Sequence, residues 1–162
     1  MIKCNVTLCG TISRDASVRT GKDGKEFVSF PLQVSIPGKN GNDGNMEVSL
    51  SKDGGQDTVH EYRYGSRAKV TGTLLLKRRG EKLYFNLSAD SVDLSDAGNT
   101  DSVKGQMVFR GKTGKHIEER KDKTGKPYLM FSAFSTEKVN DGFEYQWVRF
   151  FCFGKEKEAV SY

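Results

Sequence analysis

The sequence nearly repeats itself. Sliding the chain by 101 positions sets Gly10 on Gly111, Arg19 on Arg120, Gly24 on Gly125, Lys25 on Lys126 and Phe30 on Phe131. The same offset pairs Leu8 with Phe109, Arg14 with Lys115 and Phe27 with Tyr128. The matches are few, but they fall at a glycine inside an apolar run, at a glycine-rich turn and at the strand that follows. We read two copies of one unit. The offset also sets Met46 opposite Trp147 and Leu50 opposite Phe151. Two small cores suit a chain with 35% hydrophobic and 29% charged residues, which would not fill one large core.

The first copy reads as strands. Val6, Leu8 and Ile12 flank Gly10 in residues 5–13, and a glycine within a strand predicts a sharp bend or bulge, as at a barrel corner. Residues 18–34 read as a hairpin turning at Gly21-Lys22-Asp23-Gly24, with the return strand over 26–36. Residues 37–45 are rich in glycine and asparagine and predict a loop. Met46, Val48 and Leu50 then alternate with Glu47, Ser49 and Ser51, the pattern of a half-buried strand. A short helix is expected around 57–62. Residues 68–77 alternate again, with Val70, Gly72, Leu74 and Leu76 on one face. A tight turn at 78–81 leads to a last strand over 83–93. Five strands with the long connection between the third and fourth describe the oligonucleotide-binding (OB) fold, a five-stranded Greek-key barrel.

Residues 96–102 hold no large apolar side chain and are expected to be a linker. The predicted organisation is an all-β chain of two tandem OB-fold units, over 1–95 and 103–162. The second is expected to be partial, because the repeat reaches the connecting segment near 153–160 without counterparts of the last two strands.

The second copy carries the most informative stretch, residues 146–155. It is too short and too rich in β-branched and aromatic residues for a helix and reads as a strand. Alternation places Trp147, Arg149, Phe151 and Phe153 on one face, with Lys155 just beyond, and Val148, Phe150 and Cys152 on the other. The second set suffices for a core. The first offers flat π-faces with a cation among them, the surface a single-stranded nucleic acid uses for stacking and phosphate contact. The competing reading buries both faces, as in a sandwich interior; Arg149 argues against it, since an arginine seldom enters a core without a partner. Tyr128, Met130, Ser132 and Phe134 alternate with Leu129, Phe131 and Ala133. We assign Leu129 and Phe131 to the core and Tyr128 to a second stacking position.

The net charge of +5 and isoelectric point near 9.1 suit a polyanionic partner. Between 104 and 126 eight basic residues face three acidic ones, an excess equal to that of the whole chain. Arg110, Lys112 and Lys115 in that stretch are candidate phosphate contacts, as are Lys77, Arg78 and Arg79 at the turn before the last strand of the first copy. Solvated turn and edge residues are the plainer account of any one of these.

Catalysis finds no support, and the chain is expected not to be an enzyme. Residues 105–113 end in Gly-Lys-Thr, but the glycine interval is one residue too long for a phosphate-binding loop and the stretch reads as a strand. Three cysteines without a Cys-x-x-Cys pair, and two histidines without ligand spacing, predict neither disulfide framework nor metal, and no cofactor or small-molecule substrate is expected. Without a membrane-length apolar run or a signal-type N-terminus, no membrane is expected and a cytoplasmic location is.

These residues also resemble the bacterial-type single-stranded DNA-binding protein family. Leu8-Cys9-Gly10-Thr11-Ile12-Ser13-Arg14-Asp15-Ala16-Ser17-Val18-Arg19 is similar to its opening pattern G-x-(I/V/L)-x-x-D-P-x-x-R, with Ala16 in place of proline. Residues 24–32 resemble its G-K-x-V-x-x-F-x-(L/I) segment, and 64–74 its K-G-S-x-V-x-V-x-G-x-L segment with one extra residue. Trp147-Val148-Arg149-Phe150-Phe151-Cys152-Phe153-Gly154-Lys155 is similar to its W-x-R-V-x-x-F-G-K strand. The resemblance implies base stacking by Trp147 and Phe153, single-stranded DNA as partner, roles in replication, recombination or repair, and a homo-oligomer; two units per chain suit a dimer. The matching strand of the first copy, 46–52, carries no aromatic residue. The alternative function is a protein–protein assembly module of the replication and repair machinery, with the aromatic strand as its contact surface.

Overall fold

The computed structural model describes residues 2–139 and 141–154. They form two compact units, one over Lys3–Val108 and one from Phe109 onward. Apart from the end residues Ile2 and Phe109, the first unit holds β1 (Ile2–Ile12), β2 (Ser17–Thr20), β3 (Glu26–Ile36), β4 (Gly44–Asp53), β5 (Arg67–Arg79), β6 (Lys82–Asp93) and β7 (Ser102–Phe109). The second holds β8 (Lys112–Lys121), β9 (Pro127–Val139) and β10 (Gly142–Phe153).

The first unit closes into a barrel. β3 and β4 pair antiparallel, as do β6 and β5, and β5 and β1. Two further pairings complete the circuit: β4 runs parallel to β6, and the end of β1 pairs with β3 through Thr11–Gln33 and Ile12–Leu32. This is the predicted five-stranded OB topology, with β2 added beside β3 and β7 beside β1. The alternation read from sequence fills the interior. Val6, Leu8 and Ile12 of β1 are buried with Val28, Phe30, Leu32 and Val34 of β3, Met46, Val48 and Leu50 of β4, and Val70, Leu74 and Leu87. Tyr62 stacks on Phe30 at 4.8 Å, covering the core from the connection between β4 and β5. The helix expected there is only a single 3-10 turn, Val59–Glu61. Gly54-Gly55 and so short a segment offer too few consecutive residues to offset helix nucleation.

β1 changes partner at Thr11, from β5 to β3, and Gly10 makes this possible. A Cβ at Gly10 would lie 2.4 Å from the carbonyl oxygen of Gln33. The second unit repeats the contact: a Cβ at Gly111 would lie 2.1 Å from the carbonyl oxygen of Phe134, which stands 101 positions beyond Gln33. The hairpin turns repeat as well. In the first copy Gly21 N–H donates to Lys25 O and Gly24 N–H to Gly21 O, at 2.8 and 3.0 Å. In the second, Asp122 N–H donates to Lys126 O and Gly125 N–H to Asp122 O, at 2.9 and 3.0 Å. Gly24 and Gly125 both take a left-handed φ, 78° and 83°. In the second turn the Asp122 carboxylate accepts hydrogen bonds from the Thr124 hydroxyl and from the Lys126 and Thr124 amides, which hold its carboxyl below the usual range.

The second unit's strands stand in the order β10-β9-β8, an incomplete copy of the same unit among the described residues. One detail of the sequence alignment is corrected here. Phe30 faces Leu50 across β3 and β4, whereas Phe131 faces Phe150 across β9 and β10. The path from Phe131 to its partner Phe150 is one residue shorter than that from Phe30 to Leu50, so Leu50 corresponds to Phe150 and Val48 to Val148, an offset of 100. Met46 is therefore no counterpart of Trp147; Met46 points into a core and Trp147 is 56% exposed.

Residues 96–102 lie along the first barrel. Ala97 is buried, Lys69 pairs with Asp96 at 3.3 Å, and Arg67 donates to Gly98 O and to the carboxylate of Asp101. Asp101 also accepts the amide of Ser35 at 2.8 Å. The polar composition of this stretch serves capping and ion pairing, and the division between units falls at the end of β7, between Val108 and Phe109, rather than before it. Residues 155–160, read from sequence as the start of a connecting segment, lie outside the described residues.

Gly10→Ala and Gly111→Ala should each lower stability by about 1–3 kcal/mol, because the added methyl meets a backbone carbonyl rather than a movable side chain. Gly44→Ala, with no atom within 4 Å of the new carbon, should stay within about 0.5 kcal/mol. Urea midpoints of the three variants check the ordering.

Candidate nucleic-acid interface

The sheet of β8, β9 and β10 has two faces, sorted by the period of two. On the inner face Phe131 stacks on Phe150 at 5.0 Å, Phe109 meets Phe150 edge-on at 5.1 Å, and Ile117 sits across from Phe131. Val148, Phe150 and Cys152 are half-buried there, while Trp147, Arg149, Phe151 and Phe153 between them are exposed. The in–out assignment of β10 therefore follows the sequence reading, and the reading that buried both faces is set aside.

The outer face is a cross-strand array. Phe153 lies opposite Tyr128, Phe151 opposite Met130, Arg149 opposite Ser132 and Trp147 opposite Phe134. Two aromatic groups result. Tyr128 meets Phe153 at 5.1 Å and Phe151 at 6.1 Å; Phe134 meets Trp147 at 4.9 Å and Tyr145 at 5.7 Å. Arg149 stands between them and makes no ion pair among the described residues. Successive side chains on one face of a strand are about 6.8 Å apart, so the two groups and the arginine form a row about 20 Å long from Trp147 to Phe153. Beside the row is an open cleft of about 440 Å³ lined by Lys115, His116, Arg120, Ser132, Trp147 and Arg149, among others. Arg120 is held by Glu118, with Nη2 at 2.8 Å and Nε at 3.0 Å from the carboxylate.

The other residues singled out from sequence fall in several places. Lys112 lies at the outer-face register of β8, opposite Phe134, and Lys115 in the irregular stretch between Thr113 and Ile117 on the cleft margin. Arg110 is exposed just before β8. Lys155 lies outside the described residues. Lys77, Arg78 and Arg79 belong to the first unit, at the tip of the β5–β6 hairpin, where Lys77 pairs with Tyr84 and Arg78 with Leu83. Arg78 Nε donates to Gly80 O at 3.0 Å, which fixes that turn and leaves Lys77 and Arg79 exposed to solvent. Sequence reasoning set Phe134 on the face of Tyr128 without giving it a role, and did not single out Tyr145 or Phe143. Their signal was the same alternation extended backwards: β10 begins at Gly142, so Phe143 and Tyr145 share the exposed parity of Trp147. Among the described residues no group of three or more histidine, cysteine or acidic side chains could hold a metal ion.

No protein-family model matches the sequence, and no curated protein does. Solved structures do. The wild-type single-stranded DNA binding protein from Thermus aquaticus is similar over 98% of this chain and 77% of that chain, with a TM-score of 0.51 and 16% identity. The chain has the fold of a bacterial single-stranded DNA-binding protein. A deletion mutant of the Thermus protein gives a TM-score of 0.50 at 16% identity, over 98% of this chain and 78% of that one. A small single-stranded DNA-binding protein from Streptomyces coelicolor covers 62% of this chain and 96% of its own, with a TM-score of 0.45 and 18% identity. At these identities the likeness is one of fold, and the residues of the outer face stand on their own geometry.

That geometry separates surface from support. Trp147→Ala should cost less than about 1 kcal/mol of stability, since the ring is more exposed than buried, while Phe150→Ala should cost about 2–3 kcal/mol through loss of the inner stack. Acrylamide quenching of the single tryptophan should report an accessible ring in the free protein; a shielded one would contradict the exposed face.

Proposed function

We propose that this protein binds single-stranded DNA with little sequence preference, stacking bases on the outer face of β9 and β10 and contacting phosphates with Arg149 and neighbouring cations. One observation carries the reading: a row of exposed aromatic rings on one sheet face, with an arginine in the middle that makes no ion pair among the described residues. A soluble sheet seldom leaves so many rings in water unless they meet a partner. Every base offers a π-face, so stacking gives affinity without reading sequence. Arg149 places charge where a backbone running along the row would bring its phosphates, and Lys112, Lys115 and Arg110 extend it. The basic tip of the β5–β6 hairpin supplies a further contact of the kind that barrels of this topology offer through loops. The role is binding rather than catalysis, in replication, recombination or repair, by an assembly of two chains in the cytoplasm. The fold shared with the Thermus protein favours this reading over a protein–protein assembly module, whose contact would not weaken with salt as a phosphate contact does.

Titration with oligo(dT), followed by Trp147 fluorescence and by anisotropy of labelled DNA, tests it. Binding should quench the tryptophan. Affinity should fall with salt, the slope of log K against log salt being about −0.7 for each phosphate neutralised. Trp147→Ala should weaken binding by about 1–3 kcal/mol, roughly 5- to 150-fold. No bound DNA at low salt sinks the proposal and leaves the assembly module.

A further inference from the structure

The offset of 101 for β3 and β9, and of 100 for β4 and β10, allows the outer faces of the two copies to be compared residue by residue. Trp147, Arg149, Phe151 and Phe153 correspond to Glu47, Ser49, Ser51 and Asp53. Tyr128, Met130, Ser132 and Phe134 correspond to Phe27, Ser29, Pro31 and Gln33. The backbone frame is the same, down to the cross-strand pairs: Tyr128 faces Phe153 in one copy and Phe27 faces Asp53 in the other. Five rings in the second copy become one in the first, where the carboxylates Glu47 and Asp53 stand at the positions of Trp147 and Phe153. The cations are handled differently too. Arg14, the counterpart of Lys115, pairs with Glu47 at 3.7 Å, and the position of Arg149 is held by a serine. The cleft at the Phe27–Asp53 end is lined by Asp23, Glu26, Asp53 and Asp90 against Lys25 and Lys52.

We infer that the two copies have divided the work: only the second stacks bases, and the corresponding face of the first barrel turns the strand away. This rests on the proposed single-stranded DNA binding and specifies its mode. A base stacked beside Phe27 would bring its phosphate toward Asp53, where like charges repel and no ring offsets the cost. Each chain then offers one stacking platform rather than two, and its binding stoichiometry is that of a single copy.

Charge insertion at equivalent exposed positions tests the division. Arg149→Glu should lower affinity for an oligo(dT) of about eight nucleotides, within the span of one OB unit, at least tenfold. Ser49→Glu, at the same place in the first copy, should leave it within twofold. Quenching of Trp147 in the unaltered chain should saturate at one such oligonucleotide per chain. A loss in Ser49→Glu comparable with that in Arg149→Glu, or two oligonucleotides per chain, overturns the division while leaving DNA binding intact. Absence of binding by the unaltered chain at low salt overturns both. Circular dichroism of each variant separates lost binding from lost folding, and the graft Glu47→Trp, Ser49→Arg, Ser51→Phe provides a gain-of-function check: it should raise the number of oligonucleotides bound per chain toward two, and an unchanged number overturns the assignment of stacking to these positions.

Discussion

Each copy depends on one close backbone approach. Gly10 against the Gln33 carbonyl and Gly111 against the Phe134 carbonyl let one strand lie where any side chain would collide with the strand opposite. In the first copy this contact allows β1 to leave β5 and join β3, which closes the barrel and gives the alternating residues of β1, β3 and β4 a common interior. Once the interior is fixed, the period of two fixes the exterior. The outer face is in this sense a by-product of core formation: the side chains that do not enter the core of the second unit are the ones left facing solvent.

That coupling explains how the two copies can share a frame and differ in chemistry. Inward positions at the centre of the sheet keep their apolar character between copies, as with Val48 and Val148, or Leu50 and Phe150, while Met46 and Val34 give way to Gln146 and Ser135. Outward positions carry no such packing constraint and range from Asp53 to Phe153. An outward substitution changes what the sheet attracts with little change in what holds it together.

Much of this was legible in the sequence because strands announce themselves through alternation. The hairpin at Gly21–Gly24, the return strand from Glu26 to Ile36 and the faces of β10 all follow from it. What was hidden came from pairing. Nothing local in Met46 or Trp147 says that the path between paired positions is one residue shorter in the second copy, and only the register Phe131–Phe150 reveals it. The expected helix near 57–62 shrank to one 3-10 turn because tertiary contact through Tyr62, rather than helix propensity, holds that segment. The stretch 96–102 looked unconstrained because its partners, Arg67, Lys69 and Ser35, are remote in sequence. Phe143 and Tyr145 went unlisted because the strand was begun too late.

β7 is, by the repeat, the counterpart of β1, yet it is hydrogen-bonded beside β1 in the first unit's sheet. Its Gly105 lies against Asn5, where a Cβ would come within 2.2 Å of the carbonyl oxygen. A ribosome must therefore release residues beyond 109 before the first barrel gains its outermost strand. Until then β1 presents an open hydrogen-bonding edge, the kind of edge that recruits strands from other chains. In the folded chain β7 covers that edge, so the opening strand of the second copy protects the first.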